Sequence, residues 1–484
     1  MNHNLHHGEI GRVHKAKRYL LTLTGLPSAR VNDLIVNESG QRAIVRALDD
    51  TYVYALSLEG SAEPGDRYQF LKEQNLYTAG PELFGRVINT LGEPIDEQGS
   101  FSPPNLPLQL EVDAAGIEVR QHIHDQLETG VTLVDTLVPI AKGQRQLIFG
   151  PIRSGKTTFL THTVLTQAAL GTVCIYAVVG KPVNGLRKIT DTILTEATAD
   201  SKVLVVAALS DDPAPMVALA PSVAFALAEY YQRQGEDVLV ILDDLDSHAK
   251  YLREVALLEG RLPSTESYPG DIFYQHAHLM ERSGHFVPAV GGGSITTLPV
   301  IQTTLKNFSD LIPTNLMACT DGHLAFIPQL RAEGIYPSIS FEQSVTRVGR
   351  QAQVTLQKEV TRRAQILLSS YRTQKEYAKF SADLSAHAKD VLARGAIVEE
   401  WLRQDMYETH SRVAQVVLLT LALSDFFIKK PTWHKKAAYD SLVELVKTDD
   451  RFAAVREKAL DDTADWQSYL EAVEFAAHSL PEYV

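Results

Sequence analysis

The sequence predicts an α/β chain in three parts: an antiparallel β-barrel over residues 1–78, a parallel-sheet domain organised around a phosphate-binding loop over 79–353, and a helical bundle over 354–484. Three observations carry that prediction. Short apolar strands separated by polar turns fill the chain as far as about Tyr77. Continuous apolar strands then alternate with helical patterns, the signature of a parallel sheet covered on both faces. From about Val354 strands vanish and helical periodicity takes over. At 484 residues the chain exceeds what one core usually serves, so about two to four domains is the natural division.

Composition narrows the class. Hydrophobic residues make up 45 % and charged residues 22 %, as in globular proteins, and the net charge of -13 argues against nucleic-acid binding as the main business. Cys174 and Cys319 lie in apolar strand-like runs and there is no signal peptide, so both read as buried packing residues in a reducing interior. The most apolar stretch, residues 413–428, is interrupted by Gln415 and Asp425 and falls short of the roughly 20 apolar residues that cross a bilayer; membrane association is expected through partners. His3, His6 and His7 read as a solvated terminus rather than a metal site.

In the barrel, strands are expected at residues 19–23, 34–36, 43–45 and 52–56, with turns at Asn37-Glu38-Ser39-Gly40 and Asp49-Asp50. No aromatics cluster among basic residues there, so a collar for assembly is expected rather than a single-strand binder. Residues 85–95 open the second part, and Ser102-Pro103-Pro104-Asn105 reads as a connecting loop. Strands are predicted at 147–149, 173–179, 203–206, 238–242 and 298–303, and helices at 156–169, 183–198 and 216–234. A late hairpin is expected from 315–319 through Asp321-Gly322 to 324–327. The helical part should break near Gly395, Pro431 and Pro481.

The chemistry concentrates at Gly150-Pro151-Ile152-Arg153-Ser154-Gly155-Lys156-Thr157, which fits G-x-x-x-x-G-K-[ST] at every fixed position, with a strand before it and a helix after it. Glycines that tolerate positive φ let consecutive N–H groups point at a polyphosphate, and the next helix offers its positive N-terminal end. Gly150 to Thr158 are therefore the expected phosphate cradle: Lys156 on the β/γ-phosphates, the Thr157 hydroxyl on Mg²⁺, and Thr158 in the helix's first turn. The strand at 238–242 ends in Asp243-Asp244, at the carboxyl end where such sheets bind ligands. A hard cation that keeps its waters needs a nearby carboxylate, and Asp243 is the expected second metal residue; Asp244 reads more readily as a helix N-cap.

These residues resemble the α/β subunits of F-type ATP synthases, and within them the α subunits. The resemblance rests on Thr136-Leu137-Val138-Pro139-Ile140 with Gly143-Gln144-Arg145, the phosphate loop, Tyr268-Pro269-Gly270-Asp271-Ile272-Phe273-Tyr274, Gly291-Gly292-Gly293-Ser294 and Ile312-Pro313-Thr314-Asn315. Ser344-Val345-Thr346-Arg347-Val348-Gly349, Phe380-Ser381-Ala382-Asp383-Leu384 and Arg394-Gly395 extend it. It covers about residues 84–407 well and both ends loosely. It implies a barrel, a RecA-like nucleotide domain and a helical C-terminal domain, in a ring of three α and three β subunits around a γ-type rotor shaft. It also implies bound ATP or ADP with Mg²⁺, a peripheral stalk, and a peripheral seat on the cytoplasmic face of the cell membrane, linked to a sector that moves protons or sodium ions. No nucleic acid enters.

The resemblance also implies a division of labour. In catalytic members the strand after the phosphate loop ends in a glutamate that polarises the attacking water; here that place reads Val178-Val179-Gly180-Lys181-Pro182. A lysine of ordinary pKa, about 10.4, would need roughly three units of depression to take a proton near neutrality, so hydrolysis in this chain's own pocket should be poor. In the family, the arginine of Ser-Val-x-Arg-Val-Gly reaches across the interface to the γ-phosphate held by β, and Arg347 occupies that place. Such an arginine finger is worth about 10³ to 10⁵ in rate.

Several positions depart from the α pattern. The usual Gly-Asp-Arg-Gln-Thr-Gly-Lys-Thr becomes the loop given above, the usual Gln-Lys becomes Lys181-Pro182, and Gly-Ile-Arg-Pro becomes Gly334-Ile335-Tyr336-Pro337. Of two glutamines before a tyrosine only Gln404 remains, the other being Met406. Tyr336, Pro337 and Gln404 are thus the expected base pocket, with Tyr336 able to stack on a purine. The chain begins almost at the barrel, so contact with the stalk is expected to be reduced or differently built. Three readings stand at this point: a non-catalytic α-type subunit, a self-sufficient homohexameric motor of the protein-export or RNA-translocase kind, and a nucleotide-gated scaffold with no rotary partner.

Overall fold

The computed structural model describes residues 9–71, 79–101, 110, 112–198, 200–262, 264, 267–303, 307, 309–379, 384–405, 408–430, 433 and 436–480. The readings placed on His3, His6 and His7, on the 102–105 loop, on residues 380–383, on Met406 and on the breaks at Pro431 and Pro481 lie outside them.

The chain begins with strands β1 (Gly11–Lys17), β2 (Leu20–Thr24), β3 (Leu34–Asn37), β4 (Arg42–Leu48), β5 (Val53–Ser57) and β6 (Arg67–Phe70). β7 (Val87–Asn89), β8 (Gln126–Leu127), α1 (Thr132–Leu137) and β9 (Ile140–Ala141) lead to β10 (Leu147–Phe149) and the phosphate loop. Helices and strands then alternate through α2 (Lys156–Ala169), β11 (Val173–Lys181), α3 (Val183–Glu196), β12 (Val203–Leu209), α4 (Ala214–Gln232), β13 (Asp237–Asp243) and α5 (Leu245–Leu258). α6 (Ile272–Glu281), β14 (Gly284–His285), β15 (Ser294–Ile301), α7 (Leu311–Cys319), β16 (Gly322–Phe326), α8 (Pro328–Ala332) and β17 (Ile339–Thr346) follow. Helices close the chain: α9 (Thr355–Ala378), α10 (Ala386–Trp401), α11 (Arg412–Leu423), α12 (Phe426–Lys429), α13 (Lys436–Thr448), α14 (Ala453–Lys458) and α15 (Trp466–His478).

These elements form two compact units. The first takes the chain up to Gln121 and from Ala168 to Thr320; the second takes His122–Gln167 and Asp321 onward. In the first unit β1 to β6 close into the expected antiparallel barrel, in the order β1-β2-β5-β4-β3-β6. Alternate residues turn inward, so Val13, Leu21, Leu23, Ile35, Ala43, Val45, Ala55 and Tyr68 make its core. β1 and β6 are absent from the strands expected on sequence because neither has an apolar run: GRVHKAK buries only Gly11 and Val13, and RYQF buries only Tyr68.

The same unit carries a sheet ordered β14-β15-β13-β11-β12-β7, parallel throughout except for β14. Its middle strands are apolar without alternation because both faces are covered; α4 packs against β11, β12 and β13. α4 continues through Pro221, buried in a run of small apolar residues.

The second unit pairs β10 with β16 in parallel and β16 with β17 antiparallel, beside the bundle in which α9 meets α10 and α11. Two expectations are corrected here. The stretch read as the first arm of a hairpin is helix α7, with Ile312 and Leu316 buried one turn apart, and β16 finds its antiparallel neighbour downstream in β17. Gly395 does not break the helical part: α10 runs through it, and a side chain there would collide with Tyr371 of α9. The glycine lets two helices approach. Among the described residues no helix is long and apolar enough to cross a membrane.

Candidate functional site

In the second unit, β10 delivers the chain into the phosphate loop and α2 starts at Lys156, as the motif requires. A Cβ on Gly150 would lie 2.7 Å from the backbone of Phe326, so only glycine fits, and Gly155 sits at φ +100. Arg153 takes φ +64, a conformation rare for a side-chain-bearing residue. The Lys156 ammonium donates to the carbonyl oxygens of Gly150 at 2.6 Å and Pro151 at 2.8 Å. Ile152 and Arg153 are exposed, Ser154 is buried, and Pro151, Thr157 and Thr158 are half-buried. The Thr157 hydroxyl makes no hydrogen bond within the described residues, which suits a metal ligand.

Next to the loop, still in this unit, lies a cavity of about 220 Å³. Ser154, Gly155 and Thr158 form its phosphate-loop side, with Phe159, Phe326, Tyr336 and Pro337 as apolar walls. Tyr336 is 43 % exposed and so keeps ring surface for a stacking partner. The structure thus brings the loop together with Tyr336, Pro337 and Gln404 as expected. Gln404, however, is engaged by backbone: its Nε2 donates to Gly130 at 2.7 Å and to the Glu408 carbonyl, and its Oε1 accepts the Thr132 N–H at 2.9 Å. It shapes the cavity wall with its amide already occupied.

Sequence reasoning does not mark His162, Arg331, Ser338 and Asp405, which also line the cavity. Arg331, on the short helix α8, donates to the Arg153 carbonyl at 2.7 Å with its guanidinium 5.9 Å from the Tyr336 ring centre. Ser338 donates to the Ser154 carbonyl. The segment that carries Tyr336 is thereby tied to two successive loop carbonyls. No motif flags Arg331; its role becomes visible only when α8 is folded. Burial, and then the nearby His410, pull His162 down to about 4, so His162 is uncharged near neutrality.

In the first unit, β13 ends at Asp243 and Asp244 caps α5, accepting the Ser247 N–H at 2.8 Å, in keeping with its N-cap reading. Asp243 stands at the strand's carboxyl end as expected, yet its oxygens have partners. Oδ1 lies 2.9 Å from the Lys181 ammonium and Oδ2 accepts the Tyr176 hydroxyl at 2.7 Å. Burial pulls the Lys181 pKa down, but Asp243 and Asp244 more than offset it, leaving it above the ordinary lysine value. Lys181 therefore cannot act as a base. Nor does the pair suit a divalent ion: two charges and one, about 5 Å apart, repel by roughly 7 kcal/mol at an effective dielectric near 20. Thr157 fits the metal expected here, and Asp243 in its present pairing does not.

Arg347 follows β17 in the second unit. Its N–H donates to the Asp321 carbonyl at 2.9 Å, and the Asp321 carboxylate is gripped by Arg145 at 2.9 and 2.6 Å. Thr346 donates to Pro139 at 2.9 Å, and Gly349 packs on Pro139 where any side chain would collide. The Arg347 backbone is thus pinned on both sides. Its guanidinium is exposed and has no hydrogen bond or ion pair among the described residues. The guanidinium thus faces solvent from a fixed stretch of backbone.

Comparison with known proteins agrees with this geometry. The model of the ATP synthase alpha/beta family, nucleotide-binding domain, matches residues 130–346, and that of the ATP synthase alpha/beta chain, C terminal domain, matches residues 353–473. The chain is similar to ATP synthase subunit alpha of Metamycoplasma arthritidis, at 32 % identity over 97 % of this chain and 89 % of the relative. The subunit alpha of Dictyoglomus turgidum is 36 % identical over 84 % and 80 %, and subunit alpha 1 of Rhodopirellula baltica 34 % over 85 % and 82 %. A closed barrel, a phosphate-loop domain and a helical C-terminal part, joined to matches of this extent, mean that the chain belongs to the ATP synthase alpha/beta family, among its alpha subunits.

Proposed function

We propose that this chain is the non-catalytic member of a rotary ATP synthase ring: it holds a nucleotide at a structural site and lends Arg347 to the reaction on a neighbouring catalytic β subunit. The observation that carries the reading is Lys181. It stands where a catalytic member has a glutamate and is held protonated against Asp243, so the chain has no base there to polarise water. A self-sufficient homohexameric motor needs that base. The phosphates of ATP or ADP lie on Gly150 to Thr158, with Lys156 exchanging its two carbonyl partners for phosphate oxygens. The Thr157 hydroxyl would hold Mg²⁺, which would supply positive charge against the phosphates. The purine enters the cavity beside Tyr336 and Pro337.

Three such chains alternate with three β subunits around a γ-type shaft, with a peripheral stalk, at the cytoplasmic face of the cell membrane. The membrane sector couples ATP synthesis or hydrolysis to proton or sodium movement. In such a ring every α–β interface sets one subunit's arginine against the other's phosphates, which explains why a site without a base is retained.

Reconstitution with β and γ subunits tests the proposal. Arg347→Ala should lower ring ATP turnover by about 10³ or more, while Lys156→Ala in the same chain should lower it only mildly. Equal and severe losses would place the chemistry in this chain's own pocket, and undiminished turnover with Arg347→Ala would end the reading.

A further inference from the structure

The cavity beside the phosphate loop is built wholly from the second unit, and its described walls divide into ring surface and polar groups. Phe159, Phe326, Pro337 and the exposed ring of Tyr336 offer apolar faces against which a base can stack or pack. Stacking does not tell one purine from another, because every base has a π-face. Telling them apart needs a group of fixed polarity at the base edge: adenine sets an amino donor beside a ring-nitrogen acceptor, whereas guanine sets a carbonyl acceptor beside N–H donors.

Gln404 is the side chain of that kind in the wall, and it is committed elsewhere. Its Nε2 hydrogens go to the Gly130 and Glu408 carbonyls, and its Oε1 takes the Thr132 N–H. All three partners have fixed polarity. Turning the amide over would set its oxygen against two carbonyl oxygens and its NH₂ against an N–H, so the orientation is locked. The other polar groups discriminate less. Arg331 has one end of its donor fork tied to the Arg153 carbonyl, and the Ser338 hydroxyl donates to the Ser154 carbonyl. A neutral imidazole such as His162 carries one donor and one acceptor and can exchange them by changing tautomer. Asp405 offers acceptor oxygens, which suit the adenine amino group and the guanine N–H groups alike.

We infer that this chain's nucleotide site accepts guanine as readily as adenine, holding the purine by its ring faces without identifying it at its edge. The inference rests on the nucleotide site proposed above and specifies its base preference.

Calorimetric titration of the full chain with ATP, GTP and inorganic tripolyphosphate, each with Mg²⁺, provides the test. The Kd values for ATP and GTP should agree within about fivefold, since one base-edge contact left unpaired would already cost about that factor. Tripolyphosphate, which has no base to stack, should bind at least about fivefold more weakly than either. Tyr336→Ala should weaken both nucleotides by the same factor and leave tripolyphosphate unchanged, because it removes stacking surface alone. A preference for either nucleotide beyond about fivefold, or a Tyr336→Ala chain that loses one nucleotide and keeps the other, overturns the inference while leaving nucleotide binding intact. Tripolyphosphate binding as tightly as ATP overturns it too, because the ring faces would then hold nothing. Absence of binding by ATP and GTP alike instead removes the nucleotide site and the inference with it.

Discussion

Lys156 and Lys181 are both largely buried ammonium groups, and the two regions hold them in opposite ways. In the phosphate loop Lys156 rests on the carbonyl oxygens of Gly150 and Pro151, neutral dipoles whose release leaves no stranded charge. At the end of β13 Lys181 is ion-paired with Asp243 and Asp244, and its release would leave two buried carboxylates without a cation. One lysine can turn to a ligand, whereas the other is bound into the fold. On the function proposed above, the difference is the one expected of a chain that holds phosphate without a base: the cradle lysine can exchange partners, and the other lysine is fixed in an ion pair.

Acidification should separate the regions most. The unit containing β13 tolerates interior charge only where a counter-charge is present, and its histidines obey that rule. Burial pulls His248 down to about 4 and, with help from His248, His276 down to about 3, so both are neutral in the fold. Between pH 6.5 and 4 the unfolded chain takes up protons that the fold refuses. Stability is therefore full above about pH 6.5 and falls as pH drops through that window, by about 3 kcal/mol from His248 alone. In the other unit, burial raises Asp135 to about 6, which has the reverse sign: the fold takes up a proton first and gains on acidification. Hydrogen exchange between pH 7 and 4.5 should show protection falling in α5 and α6, and His248→Gln should flatten that slope; unchanged protection would break the contrast.

A smaller effect sharpens it at the lysines themselves. Lys156→Ala should weaken ATP binding by about ten- to a hundredfold, the worth of hydrogen bonds to a charged group, with little change in the urea midpoint because neutral carbonyls are left behind. A stability loss matching that of Lys181→Ala would mean that the fold depends on both lysines alike, and the contrast would vanish.

How much of this is legible in the sequence follows from how local each signal is. The phosphate loop and its helix can be read to the residue, because glycine at a forced close approach and lysine opening a helix are local facts. The apolar strands β11, β12 and β13 are equally plain. β1 and β6 are not, since strands that bury one or two side chains lack an apolar run. Residues 315–319 look like strand because a short apolar run has no period of its own. Gly395 suggests a break by its propensity, whereas its cause is Tyr371, 24 positions earlier in the chain. At the site, the identity of Lys181 alone reveals that it is already protonated near neutrality and cannot take a further proton, but its partners become visible only in the fold. Gln404 and Arg331 show the same limit in opposite directions, one expected to face a ligand and bound to backbone, the other unmarked and lining the cavity.

Steady-state ATP hydrolysis by the purified chain alone, with Mg²⁺ and under conditions where ATP binding is confirmed, tests the central claim most directly. Turnover is expected to stay at the background given by Lys156→Ala. Sustained hydrolysis that Lys156→Ala abolishes would contradict it, for the chain would then possess the base that Lys181 is argued to exclude.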